Sequence, residues 1–216
     1  MRKKPVEILN RYTSLPVAID VLAYKRITLL SPETWEDRND AFYLARYREE
    51  KKLLTLLAIC FSTRSETFHH WKIFSGNSSG VCIQFDKNGL LAAFSGLEGF
   101  RYREMDYRLV RNLANPSVEE WPFLKRKAFN DEREFRIIYE DKISMDRFKH
   151  VYINLDTVNK ITLSPWLSDT LVDSIRNVIK TIDGCEKLTI KHSTLIDNSG
   201  WKRAIKGMVE SGRRGD

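Results

Sequence analysis

Two carboxylates and a guanidinium recur at every second position of "NDEREFRIIYE", residues 130 to 140. They are Glu132, Glu134 and Arg136, alternating with Phe135, Ile137 and Tyr139. Strand periodicity sends the two sets to opposite faces, so the apolar set packs on a core and the charged set makes a second surface. That surface is either an ion-pair ladder facing water, which contributes little, or the floor of a cleft where charges cluster to do chemistry. Further candidates are scattered: Arg11, Tyr12 and Thr13 in "NRYTS", Asp37, Asn39 and Asp40 in "EDRNDAF", and His69, His70 and Trp71 in "TFHHWKIF". Each has a plainer use. Asn39 and Asp40 are helix-capping types, Trp71 suits a core, and Arg11 suits a solvated surface.

Several chemistries are excluded by absence. There is no "GxxxxGK[ST]" or "GxGxxG" to cradle phosphates, and no "GxSxG" or "HExxH". His69 and His70, adjacent on a helix, point about 100° apart and cannot share a metal as an i, i+4 pair does. The acidic set Asp37, Asp40, Glu132 and Glu134 would suit a metal-dependent nuclease, although the leading reading needs no metal. Cys60, Cys82 and Cys185 are too far apart for a zinc motif and are expected to be small buried hydrophobes without disulfides.

The elements that must position these residues alternate irregularly. Helices are expected from Thr13 or Ser14 with Pro16 in the first turn, from Asp40 to about Leu54, over 65–76 capped by Ser65, over 117–129, and over 168–184 with Leu171, Ile175, Val178, Ile179 and Ile182 as the apolar stripe. Strands are expected at "ITLLSP", "LLAICFS", "SGVCIQFD", "GFRYREMDY", the opening segment, "HVYINLD", "NKITLSP" and "KLTIKHS". The unbroken apolar run of "LLAICFS" makes it the central strand, buried on both faces. No strict βα repeat appears, so the fold class is α+β, a mixed and largely antiparallel sheet flanked by helices.

The 216 residues are expected to form one domain, 1–216, with a basic tail from about 200 that frays and includes Lys202, Arg203, Lys206, Arg213 and Arg214. No apolar run is long enough for a membrane span or a secretory signal, so the expected setting is cytoplasmic, without membrane contact. A net charge of +7 favours acidic partners such as nucleic acid.

Four blocks in this order, 11–42, 58–86, 123–138 and 153–182, resemble the bacterial family known only as domain of unknown function 2971. The matching residues are Tyr12, Ser31, Pro32, Asn39, Asp40, Trp71, Gly80, Val81, Cys82, Ile83, Glu132, Glu134 and Arg136. Phe129 and Phe135 stand where that family often has tryptophan, and Ala41 where it often has proline. In addition, "NRYTSLPVAIDVL" is similar to the first strand and helix of ADP-ribosyltransferases. That second resemblance implies an ADP-ribosyltransferase-like fold and NAD as substrate. It makes Glu134 the catalytic carboxylate, with Arg11 and Tyr12 at the NAD; Glu132 is a second candidate carboxylate, and Thr13, Asn39, Asp40, Trp71 and Arg136 are further candidates for binding the NAD. A carboxylate would stabilise the oxocarbenium ion formed as nicotinamide leaves, and arginines would hold the pyrophosphate without a glycine-rich loop. The acceptor would be a nucleic acid or a protein, in a bacterial toxin or phage-defence effector with an antitoxin or other defence protein as partner. The competing expectation is a non-enzymatic protein of the same setting that binds nucleic acid or a partner.

Overall fold

The computed structural model describes residues 7–113 and 115–212, with side chains to residue 206. In chain order the elements are β1 (Ile8–Ser14), α1 (Leu15–Ala23), β2 (Arg26–Leu30), α2 (Arg38–Glu50), β3 (Thr55–Ser62), α3 (Phe68–Phe74), β4 (Gly80–Asp86), α4 (Lys87–Ala92), β5 (Phe100–Glu104), β6 (Asp106–Arg108), β7 (Leu124–Arg126), β8 (Glu134–Asp141), β9 (Phe148–Tyr152), β10 (Val158–Leu163), α5 (Asp169–Lys180), β11 (Ile190–His192) and α6 (Ser199–Gly212). The fold is α+β. Nine strands form one sheet in which every pairing except β10 with β11 is antiparallel, and β6 and β7 form a separate parallel pair.

β3 is the hinge of the sheet. One edge pairs with β8 along its whole length, from Thr55 opposite Asp141 to Ser62 opposite Glu134. The other edge is shared: β1 meets it at Ser62 through Asn10, and β2 meets it at Ala58 through Leu30. The sheet therefore divides at Cys60 into a wing of β1, β4, β10 and β11 and a wing of β2 and β9.

Alternation on β3 and β8 builds two cores. Leu57, Ile59, Phe61, Phe135, Ile137 and Tyr139 face a large cluster closed by Ala18, Val21 and Leu22 of α1, Leu90 of α4 and Val172 and Ile179 of α5. Leu56, Ala58 and Ile138 face a smaller cluster with Leu44 and Tyr47 of α2, Met105 and Phe123. "LLAICFS" is thus buried on both faces, as its unbroken apolar run implies, and only Cys60 is half-buried.

Local chemistry moves several boundaries. Thr67, not Ser65, caps α3, its hydroxyl accepting from the His70 amide. The segment 117–129 is no α-helix: Pro122 lacks an N–H, and a 3-10 turn over Val118–Phe123 gives way to β7 and a second 3-10 turn, Lys127–Glu132. Glu132 therefore precedes the strand, which Arg133 enters through a left-handed residue at φ 45°. On α5, Val172 is buried while Leu171 and Val178 are exposed. The tail forms helix α6 where a frayed end was expected, and Arg213 and Arg214 lie outside the described residues. Among the described residues the cysteines are free, and no helix is long and apolar enough to cross a membrane.

Gly80 opens β4 against the end of α3, where a Cβ would come within 2.4 Å of the Ser75 carbonyl oxygen and 2.5 Å of the Ser75 Cβ. Gly80→Ala is expected to cost about 1–3 kcal/mol by overpacking. Urea denaturation checks this, and an unchanged midpoint would contradict the close approach.

Candidate active site

Asp40, Leu44 and Tyr47 form one stripe of α2 and face Arg136, Ile138 and Glu140, alternate residues of β8. The spacings agree because one helical turn and two strand residues each advance about 5–7 Å. Arg136 is wholly buried. Its Nη1 and Nη2 donate to the two Asp40 oxygens at 2.9 and 2.5 Å, Nη1 also donates to the Pro122 carbonyl at 2.9 Å, and Nε donates to Glu134 at 2.7 Å. The Trp35 ring covers the guanidinium at 4.9 Å.

Lys125 of β7 gathers the remaining carboxylates. Its Nζ lies 2.5 Å from Glu132, 2.9 Å from Glu134 and 3.7 Å from Asp40. Three buried acids thus surround two buried cations, and a third cation lies near: Arg11 donates to the Cys60 carbonyl at 2.9 Å, at the point where the sheet divides, and interacts electrostatically with Glu134. The two glutamates are driven apart. Burial would raise the Glu134 pKa, but Arg136 and Lys125 outweigh it and hold that carboxylate down to about 2. For Glu132 burial wins over Lys125, and its pKa is raised from the ordinary glutamate value.

A second group approaches from β1 and α3. The Glu132 carbonyl lies 3.1 Å from His70 Nε2, which must donate to it, and Thr67 Oγ1 lies 2.6 Å from Nδ1. His70 is buried, and burial lowers its pKa, favouring the neutral ring. Tyr12 stacks on His70 with centroids 5.2 Å apart, meets Trp71 edge-on, and buries a hydroxyl whose polar neighbour is the Cys82 thiol.

Beyond Lys125 the molecule opens into a cleft of about 460 Å³. Its walls include Arg38, Asn39, Asp40, Phe42 and Tyr43 from α2, Leu109, Val110 and Leu113 after β6, and Leu124, Lys125 and Arg126 of β7. Asp40 and Lys125 are shared between the cleft wall and the buried charges.

The structure therefore brings Glu132, Glu134, Arg136 and Asp40 into one network, with Arg11 at its edge. Tyr12 touches it through His70, and Asn39 is exposed on the cleft wall. Thr13 is buried in β1 opposite Val81, and Trp71 has no exposed surface, its N–H donating to Glu66 at 3.0 Å, so neither presents a face to a ligand. Lys125 and His70 carry more of the arrangement than sequence spacing suggested. Lys125 sits in a three-residue strand that reads as helix, and a buried histidine looks the same in sequence as an exposed one. The acidic set does not form a metal centre: among the described residues no group of three or more His, Cys, Asp or Glu is arranged to hold an ion. Lys125 and Arg136 occupy the space between Asp40, Glu132 and Glu134, and Asp37 caps α2 instead.

No family model matches the sequence, and no curated protein matches it. Among solved structures the chain is similar to Thermus sp. 2.9 DarT in complex with ADP-ribosylated ssDNA, at 11% identity and a TM-score of 0.46, covering 89% of this chain and 97% of that one. It is likewise similar to Thermus sp. 2.9 DarT in complex with carba-NAD+, at 10% identity and a TM-score of 0.46, over 88% and 97% of the two chains.

Removing one partner of a buried ion pair leaves the other uncompensated, so Asp40→Ala is expected to destabilise by about 3–5 kcal/mol. Asp37→Ala, which removes only a helix cap, should cost about 1 kcal/mol. Equal denaturation midpoints for the two variants would contradict the assignment. Because Glu134 is held near 2 and an unfolded glutamate titrates near about 4.3, the unfolded chain takes up the proton first as pH falls. The stability contributed by Glu134 is present above that unfolded value and is lost between it and about 2. Acid titration should show this loss in the wild type and a shallower one in Glu134→Gln.

Proposed function

We propose that the chain is an NAD-dependent ADP-ribosyltransferase that modifies a nucleic acid or a protein, with Glu134 and Glu132 as its working carboxylates. One observation carries the reading: two adjacent glutamates share a single ammonium while their proton affinities move in opposite directions. Such a divergence is how paired carboxylates divide electrostatic and proton-transfer roles. NAD supplies an ADP-ribosyl group attached to nicotinamide, a good leaving group. The residues suit that substrate, since a carboxylate fixed in its ionised form beside a cleft favours positive charge developing on a ribose.

In the proposed step the ribose C1′ to nicotinamide nitrogen bond breaks, and its electron pair leaves with nicotinamide. The acceptor's nucleophile bonds to C1′ and its proton passes to Glu132. Glu134 stays ionised throughout, and Arg136 and His70 act as positioning residues: the first fixes the Glu134 carboxylate, the second the Glu132 backbone. Arg11 and Asn39 remain the candidates for contact with the NAD, while Tyr12, as buried as Thr13, acts through His70. A role as a toxin or phage-defence effector, with an antitoxin as partner, extends the same proposal.

Release of labelled nicotinamide and transfer of labelled ADP-ribose to nucleic acid or protein test this directly. Glu134→Gln is expected to lower transfer about a hundredfold or more, with circular dichroism confirming that the variant is folded. Glu132→Gln should remove the acidic limb of the pH–rate profile. Equal transfer by native protein and Glu134→Gln would end the proposal.

A further inference from the structure

Among the described residues, two cations on the cleft wall have no carboxylate to neutralise them. Arg38, at the start of α2, and Arg126, at the end of β7, are both exposed. Among the described residues neither has a carboxylate partner. Their neighbours differ: Arg108 is held 2.7 Å from Asp106, and Lys125 is held by Glu132 and Glu134. Of the two acids on the wall, Asp40 is committed to Arg136, and Asp37 accepts from the amides of Asn39 and Asp40. That cap already serves the first turn of α2, so the capacity to hold an anion lies in the two guanidiniums.

Apolar side chains complete the cleft. Val110 is 71% exposed and Phe42 60%, with Leu109 and Leu113 beside Val110. A ligand with an anionic part and a flat apolar part would cover both features. We infer that the cleft binds the phosphate of a nucleotide, with Arg38 and Arg126 gripping its oxygens through charge-assisted hydrogen bonds. The base lies against Phe42 and the Leu109 to Leu113 segment. This inference deepens the transferase reading and rests on it for the cleft's connection to Glu134. The phosphate comes either from the dinucleotide itself or from the backbone of a nucleic-acid acceptor.

Calorimetric titrations of the wild-type chain and the Arg38→Ala/Arg126→Ala variant with adenosine, ADP, NAD and a single-stranded DNA separate the sources. The wild type is expected to bind a phosphate-bearing ligand more tightly than adenosine, and the double variant to lose about tenfold or more per guanidinium. If the dinucleotide occupies the cleft, ADP and NAD weaken and DNA does not. If the strand occupies it, DNA weakens and its log–log salt dependence becomes shallower by about 1.4, the release of two counterions. Equal affinities of both proteins for every ligand, or no binding of any of them to the wild type, would overturn the inference. These titrations require no turnover. Phosphate binding lost in the double variant while wild-type protein transfers no ADP-ribose would keep the cleft and remove the transferase; unchanged binding alongside transfer that depends on Glu134 would do the reverse.

Discussion

A guanidinium shut away from water sets the geometry of half the molecule. Desolvating an isolated cation costs several kcal/mol, so Arg136 persists only because Asp40, Glu134 and the Pro122 carbonyl satisfy it from three directions. Those partners come from α2, from β8 itself and from the 3-10 turn that precedes β7. Losing any of them would leave charge uncompensated, so the helix, the strand and the turn are held to one relative placement. The cleft lies between α2 and β7 and inherits its shape from that placement.

The same packing explains why the two glutamates differ. Both are buried, and burial alone would raise the pKa of both. Glu134 receives an oxygen-by-oxygen match, Arg136 on one side and Lys125 on the other. Glu132 receives only Lys125, so desolvation prevails. The added cations, Arg136 in direct contact and Arg11 nearby, therefore give the two carboxylates different proton affinities.

Much of this was legible in the sequence because it rests on period-two alternation. Phe135, Ile137 and Tyr139 face the large core and Glu134 and Arg136 the opposite side, as the pattern required, and the apolar run at 56–62 became the central strand. The covering of the charged face was not legible. "RNDAFYLARYREE" is too polar to announce a buried stripe, and Asp40 contributes to that stripe through an ion pair with a residue 96 positions away. Lys125 was hidden for a similar reason: "FLKRKAF" has the composition of a helix, while Pro122 and the pairing of β7 with β6 decide otherwise. Local pattern reveals which face a residue takes, and only tertiary contact reveals what stands opposite.

The Lys125 ammonium has one consequence for the turn that carries it. Glu132, Glu134 and Asp40 all lie within 4 Å of its Nζ, so one side chain of the three-residue strand β7 ties that strand to α2 and to the start of β8. A neutral side chain of the same length would keep the packing and leave three buried acids facing one guanidinium, so at this position charge matters more than volume.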